Sequence, residues 1–332
     1  MLRFFLKILV LVMVMLGLKI TLWARLQRQN PKRFDESGYK LDSMLKPVRH
    51  RINTVFVGSS RTMHSINPAV FDSVTQYQTR SFNHGLSALF APNTFAECEK
   101  LLKMDGLTLK TIFLELSFPP GKAHEDPFSR TNPLHEIGFK TGHFVREEDY
   151  SAERIRRGND LYDSFLNQFF TLRSSVFMSV LPLIRTEQDN FIMDSTGYRY
   201  FRPNAFGDRK PAGFTAATPP DTTALPVRLT ERDRFYLNQL MQLIRQCDAR
   251  KVSLYVYLPN RPMAEEKQIL PNVYAALPDR YRIAVPYRRE YTAPFPDDCS
   301  DDQQHLNQKS ATLYSLQFAQ AYLQKRATAD AR

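Results

Sequence analysis

The chain has 332 residues, 43% of them hydrophobic and 24% charged, so it can bury a sizeable core, which excludes a disordered tail and a disulfide-stapled miniprotein. Lysine and arginine number 45 against 34 acidic residues, and this net charge of +11 is compatible with a nucleic-acid or anionic-membrane partner. The three cysteines, Cys98, Cys247 and Cys299, are widely spaced without a CxxC pair, so they form neither a zinc pattern nor a disulfide framework.

The first thirty residues predict a membrane anchor. The segment from Phe4 to Trp23 is a predominantly apolar run of 20 residues, about 30 Å of helix, which equals the hydrocarbon thickness of a bilayer. The two lysines inside it lie near its ends, where long side chains reach the headgroups. A cleaved signal peptide would need small residues before its cleavage site, and Leu22 is not one. We therefore expect an uncleaved anchor over residues 1–30.

Most of the positive charge belongs to this anchor. Seven of the basic residues and none of the acidic ones lie in residues 1–33, so the remaining chain carries 38 basic against 34 acidic side chains. Because the positive and negative charges of the folded domain nearly balance, most of the argument for a nucleic-acid partner is lost. The positive-inside rule favours a cytoplasmic position for the flank that follows the apolar run, but long domains translocate despite such charges, so the count leaves the orientation open.

The rest of the chain alternates predicted strands with predicted helices after a polar stem at residues 31–52. The strands cover residues 53–57, 110–118 and 252–258, and the helices cover residues 93–104, a segment capped by Thr230, and residues 310–326. Residues 119–227 differ in texture, with proline-rich loops and one helix predicted over residues 151–181, and we interpret them as an insertion that flanks the sheet. The alternation indicates an α/β fold, a mostly parallel sheet with helices on both faces.

The turn Gly58-Ser59-Ser60-Arg61 follows the first predicted strand. Ligands of a parallel α/β sheet bind at the carboxyl ends of its strands, and this turn lies at such an end. Glycine permits a tight turn, and the amides that follow point outward, where an oxyanion can bind. By itself such a serine is more often a helix cap than a nucleophile.

A second motif, Asp302-x-x-His305, precedes the last predicted helix. Its spacing puts the two side chains about one helical turn apart, so both can face one point. A carboxylate there can hold the Nδ1–H of the imidazole and leave Nε2 to take a proton from a serine. Asp301, Asp302 and His305 also offer three ligands to a divalent metal, but no HxH or HExxH motif completes a shell, and we expect no metal and no cofactor.

These two motifs resemble the SGNH/GDSL hydrolase superfamily, which has its nucleophile in a G-D-S block after the first strand and a D-x-x-H block before the last helix. Ser60 matches the nucleophile, and Ser59 replaces the aspartate. That replacement and the N-terminal anchor resemble the membrane-anchored branch of D-alanyl transfer and polysaccharide O-acetylation proteins. Residues 81–88 are similar to the second block, with Gly85 at the glycine that supplies an oxyanion amide. The third block, G-x-N-D, is replaced by Glu115-Leu116-Ser117.

The resemblance implies a three-layer α/β/α, flavodoxin-like domain over residues 53–326, with the insertion at about 119–227. It implies that Ser60 is the nucleophile, His305 the general base and Asp302 the group that orients His305. It also implies an oxyanion site formed by the amides of Ser60 and Gly85 and completed by Asn83 in place of the missing asparagine. Arg61 is expected to favour an anionic acceptor or the oxyanion, or else to pair with a nearby acid.

The function implied is a Ser-His-Asp O-acyltransferase or esterase that acts on an envelope or extracellular polysaccharide. The domain would then lie outside the cytoplasm on a single-pass anchor in the cell membrane, with an acyl donor and a glycan as partners. The alternative is a non-catalytic scaffold or glycan-binding partner of a multi-pass membrane acyltransferase, which the missing G-x-N-D asparagine favours.

Two histidines and two tyrosines are further candidates for a role at this site. His64 and His84 lie near it in sequence, and a structural histidine is the commoner outcome for each. Tyr198 and Tyr200 are candidates for lining a carbohydrate groove. The cysteines are expected to fill space in the core.

Overall fold

A computed structural model of the chain describes residues 36–87, 89–91, 93–117, 191–201, 229–260, 266–285 and 305–330, together with scattered positions before residue 36. The chain divides into two compact units. The larger unit, residues 41–124 and 189–332, contains the sheet and every described candidate residue. The predicted helix at 151–181, Cys299, Asp301 and Asp302 lie outside the described residues.

Six strands are formed in this part of the chain. They are β1 (Thr54–Gly58), β2 (Ser81–Gly85), β3 (Thr111–Glu115), β4 (Phe191–Met193), β5 (Arg199–Phe201) and β6 (Ser253–Tyr257). Four of them make a parallel sheet in the order β2-β1-β3-β6, with Val55 opposite Phe82 on one side and Ile112 on the other. β4 and β5 form a separate antiparallel hairpin. The expected mostly parallel α/β sheet is confirmed.

Six α-helices of more than one turn are described between residues 36 and 330. They are α1 (Ser60–Ser65), α2 (Pro68–Val74), α3 (Asn93–Leu102), α4 (Glu231–Ala249), α5 (Glu266–Ala276) and α6 (Gln308–Asp330). α4 begins where its sequence predicts, because the Thr230 hydroxyl accepts from the Asp233 amide at 3.2 Å and the Asp233 carboxylate accepts from the Thr230 amide at 2.9 Å. Short helical turns lie at Glu36–Gly38, Arg49–Arg51 and Asp279–Tyr281, with a π-helix at Tyr39–Leu45.

The two faces of the sheet carry different cores, because alternate residues of a strand point to opposite faces. One face is mainly aliphatic and packs against α3, α4 and α5; its strand residues are Val55, Val57, Phe82, Ile112, Leu114, Leu254 and Val256. The other face is aromatic and packs against α2 and α6. There the rings of Phe56 and Phe113 stack with centroids 4.9 Å apart, and Phe318 of α6 meets Phe113 edge-on at 5.2 Å. Helices therefore cover both faces of the sheet.

The stem differs from its prediction. Residues 31–52 read as a polar linker, but Leu41 and Leu45 are buried in the aliphatic core, and Met44 packs against it. Their spacing of three and four residues puts them on one helical face, which explains the burial. The compact unit therefore begins before the first strand.

No helix among the described residues combines the length and the apolar character needed to cross a bilayer. Those positions of residues 1–30 that the structure does describe are helical. The anchor expected there falls mostly outside the described residues and stays a prediction.

Candidate functional site

The site is built where β1 and β3 end. The chain continues from β1 to β2 on one side of the sheet, whereas it continues from β3 to β6 on the other side. The connections therefore diverge between the carboxyl ends of β1 and β3, and this is where ligands usually bind in such a sheet. Ser60 begins α1 directly after β1 and is half-buried. Gly58 allows Glu115 to approach the end of β1, since a Cβ at position 58 would lie 2.6 Å from Cβ of Glu115.

Glu115, at the end of β3, holds the turn that carries Ser60. Its carboxylate accepts hydrogen bonds from the Ser59 hydroxyl at 2.8 Å, from the Thr62 amide at 3.1 Å and from the Thr62 hydroxyl. The Ser59 hydroxyl in turn caps the helix by accepting from the Arg61 amide at 3.2 Å. A buried carboxylate on the neighbouring strand therefore fixes the backbone on both sides of Ser60.

Arg61 points into the protein. Its guanidinium is buried between two carboxylates, with Nη2 2.8 Å from Glu115 and a paired contact to Glu266 of α5 at 2.5 and 3.0 Å. Burial alone would lower the pKa of Arg61, but the two glutamates outweigh it and raise the pKa above its ordinary value. The expected role toward an anionic acceptor is not what this geometry provides. Arg61 instead ties the turn after β1 to α5, since it pairs with acids in the interior and not at the surface.

The expected oxyanion donors, Gly85 and Asn83, are hydrogen-bonded to each other. The Gly85 amide donates to the Asn83 side-chain oxygen at 2.9 Å, and the Asn83 amide group donates to the carbonyls of Thr62 and Ile66 at 2.9 and 2.6 Å. Asn83 is fully buried. These two residues join β2 to α1. Because their hydrogen bonds are made within the protein, an oxyanion at this site needs another donor.

Gly85 also allows α1 to approach the sheet. A Cβ at position 85 would lie 2.4 Å from the backbone nitrogen of Met63 and 2.8 Å from its Cα, distances that no side chain tolerates. The residue at this position is therefore glycine for a steric reason, independent of any role toward substrate.

His305 lies against α1. Its ring centroid is 4.5 Å from that of His64, and the two rings are tilted by 48°. His64 is buried, whereas His305 is half-buried. The structure thus brings the histidine of the C-terminal motif to the helix that begins with Ser60. Asp302, the expected orienting carboxylate, lies outside the described residues.

His84 has a structural partner on the aliphatic face. Its Nε2 lies 2.9 Å from the Glu97 carboxylate of α3, and Lys100 reaches the same carboxylate at 2.6 Å. Burial would raise the pKa of Glu97, but His84 and Lys100 outweigh it and lower the pKa to about 2. His84 therefore joins β2 to α3.

The hairpin β4–β5 sits beside β2 in the larger unit. The Asn83 backbone amide donates to the Thr196 carbonyl at 2.8 Å, and a Cβ at Gly197, which has φ +78°, would lie 2.3 Å from the Asn83 carbonyl oxygen. Tyr198, between β4 and β5, is buried in the aromatic core, and Tyr200 stacks on it at 5.8 Å while half-buried. Of the two tyrosines considered for a glycan groove, Tyr198 belongs to the core.

The polar network continues to β6. The Tyr257 hydroxyl lies 2.7 Å from the Thr62 hydroxyl, and the Asn260 amide donates to the Ser65 hydroxyl at 2.7 Å. Burial raises the pKa of Tyr257 well above its ordinary value, so the phenol stays neutral. α1 is therefore fixed from three strands, β2, β3 and β6.

Sequence reasoning missed Glu115, Glu266 and Asn260 as parts of this site. Glu115 carried a signal, because it is the single acid in the apolar strand Thr-Ile-Phe-Leu-Glu, and a buried acid requires a partner. Glu266 and Asn260 carried none, since nothing in the local sequence shows which strand end they face.

No protein family model, curated protein or solved structure matches this chain. Function must therefore be inferred from the geometry of the site and from the resemblance of its motifs.

Proposed function

We propose that this chain is a serine-dependent O-acyltransferase or esterase that acts on an envelope polysaccharide. The observation that carries the proposal is the contact of His305 with α1, the helix that begins with Ser60 at the carboxyl end of β1. A serine at the first residue of a helix and a half-buried histidine against that helix are the two groups that acyl transfer requires.

The fold supports this proposal. The strand order β2-β1-β3-β6 agrees with the flavodoxin-like order, and the cores on both faces agree with a three-layer α/β/α domain of the SGNH type. In such a sheet the ligand site lies where the connections diverge, which is the position of Ser60.

In the proposed mechanism His305 takes the proton from the Ser60 hydroxyl as the oxygen attacks an acyl ester or thioester. The bond from the Ser60 oxygen to the acyl carbon forms, the bond to the leaving group breaks, and His305 returns the proton to that group. Asp302 would orient His305. A glycan hydroxyl, or water, then takes the acyl group from Ser60 by the reverse of these steps.

The oxyanion needs a donor other than Gly85 and Asn83, and we propose the Ser60 amide. The amides of Ser59, Arg61 and Thr62 donate within the turn, whereas no hydrogen bond from the Ser60 amide is found among the described residues. One such donor contributes about 2.7–4 kcal/mol to the stabilisation of the transition state.

The charge distribution supports an N-terminal membrane anchor, and the proposed position of the domain outside the cytoplasm rests on the resemblance of the motifs. Seven basic residues and no acidic one occur in residues 1–33, whereas the remainder is nearly balanced. A fusion of a reporter enzyme that is active only outside the cytoplasm tests this proposal when placed after Arg332. Activity supports the orientation, and activity of a cytoplasmic reporter at the same position contradicts it.

A non-catalytic scaffold or glycan-binding partner of a membrane acyltransferase is the second candidate. The observation in its favour is that Gly85 and Asn83, which are expected as oxyanion donors, donate their hydrogen bonds to groups within the protein. A site with one remaining donor is weaker than a complete oxyanion hole.

Hydrolysis of an aryl acetate by the full chain in detergent separates the two candidates. We expect Ser60→Ala and His305→Ala to lower the rate by about 100-fold or more. Ser73→Ala and His50→Ala, at exposed positions of the same unit, serve as matched controls and should keep the wild-type rate. Equal rates for the wild type and Ser60→Ala would support the scaffold.

A further inference from the structure

We propose that His64 is a positioning residue for His305, an inference that rests on the proposed function. The two imidazoles are in contact, with centroids 4.5 Å apart. His64 is 2% exposed and belongs to α1, whereas His305 lies in the segment that leads into α6, so the contact joins two elements that are distant in the chain.

The helical spacing puts His64 on the same face of α1 as Ser60. Residues four apart on a helix have Cβ atoms about 5–6 Å from each other, and helical side chains lean toward the N-terminus of their helix. The His64 side chain therefore leans toward the turn of α1 that Ser60 begins, and the same ring contacts His305. One helix carries both the nucleophile and the ring that the proposed base packs against.

His64 is itself held firmly. α1 is fixed by the Asn83 bonds to the carbonyls of Thr62 and Ile66 and by the Glu115 bonds to Thr62, so the backbone around His64 has little freedom. A ring mounted on such a backbone restricts the orientations open to the half-buried His305 ring. A general base must be oriented before it can accept the proton, and misplacement by about 1 Å costs on the order of 100-fold in rate.

A fluorophosphonate probe measures the effect on the nucleophile directly. The Ser60 oxygen attacks phosphorus, the P–O bond forms, fluoride leaves, and His305 takes the serine proton. The full chain in detergent is titrated with the probe to separate the rate constant of labelling at saturation from the concentration of half-saturation. We expect His64→Ala to lower the rate constant by about 10- to 100-fold and to leave the half-saturation within about twofold.

A second variant separates positioning from packing. His64→Phe keeps a flat ring against His305 and should keep the rate constant within about threefold of the wild type, and His50→Ala is the exposed control. Thermal unfolding is followed for every variant. If His64→Ala is folded at the assay temperature and labels Ser60 at the wild-type rate constant, His64 is merely structural and the inference is overturned.

The outcomes also distinguish this inference from the proposed function. If the wild type is not labelled at Ser60, the proposed function fails and the inference fails with it. If labelling depends on Ser60 and His305 but not on His64, only the inference fails. If labelling depends on His64 and survives His305→Ala, His64 is the base itself, and the assignment of that role to His305 is overturned.

Discussion

The Ser59 hydroxyl donates a hydrogen bond to the Glu115 carboxylate at 2.8 Å, deep in the protein at the ends of β1 and β3. In the SGNH resemblance on which the proposed function draws, Ser59 corresponds to the aspartate of the first block, and Glu115 begins the segment that corresponds to the third block. The buried carboxylate at these strand ends is therefore supplied from β3 and not from the turn after β1.

The buried charges around Arg61 give the first prediction. Glu115→Gln removes one of the two carboxylates that neutralise the guanidinium, and it leaves a buried charge with less compensation. We expect the free energy of unfolding to fall by about 3–5 kcal/mol, measured by urea denaturation with the full chain in detergent. Glu99→Gln, at a more exposed pair with Lys103, is the control and should cost less than about 1 kcal/mol. Similar losses for both variants would contradict the account.

The pair His84–Glu97 predicts a pH dependence. The pKa of Glu97 is about 2 in the folded chain against 4.5 ordinarily, so the unfolded state binds the proton more readily than the folded state. The resulting stability is present above about pH 4.5 and is lost as the pH falls toward 2. It amounts to about 3 kcal/mol.

Urea denaturation of the wild type and Glu97→Gln between pH 3 and 7 tests this prediction. The difference between their unfolding free energies should be largest near neutral pH and shrink below pH 4.5. Glu99→Gln should show no such trend. A difference that is constant over the whole range would show that Glu97 has an ordinary pKa.

The third prediction concerns the close approach of β2 and α1. In Gly85→Ala the new methyl group would lie 2.4 Å from the Met63 backbone nitrogen, so α1 must shift. We expect a loss of about 1–3 kcal/mol in unfolding free energy together with a slower labelling of Ser60, since the nucleophile moves with the helix. Ser73→Ala on α2 is the control for an exposed position. Wild-type stability in Gly85→Ala would mean that the two elements are not in contact.

The sequence predicted those strands whose residues are apolar and β-branched. β3 and β6 lie within the predicted segments, β1 extends one residue beyond its segment to Gly58, and α4 begins directly after the predicted cap Thr230. β2 was not predicted, because Ser81-Phe-Asn-His-Gly85 is polar and its burial depends on partners elsewhere in the chain. Asn83 needs the carbonyls of α1, and His84 needs Glu97.

The same limit applies to the site. Ser60 and His305 were recognisable because each lies in a short motif with its own spacing. The environment of Ser60 was not recognisable, because the pairing of Arg61 with Glu115 and Glu266 depends on which strands are neighbours. The charge of Arg61, which the sequence suggests is available to a substrate, is paired with two carboxylates inside the protein.

The most direct test of the central claim is the location of a covalent adduct on the full chain. The protein in detergent is treated with a fluorophosphonate, digested, and the modified peptide is identified by mass spectrometry. The account predicts one adduct, on Ser60, that is absent from His305→Ala and present in His50→Ala. An unmodified Ser60 in the folded wild type would contradict it.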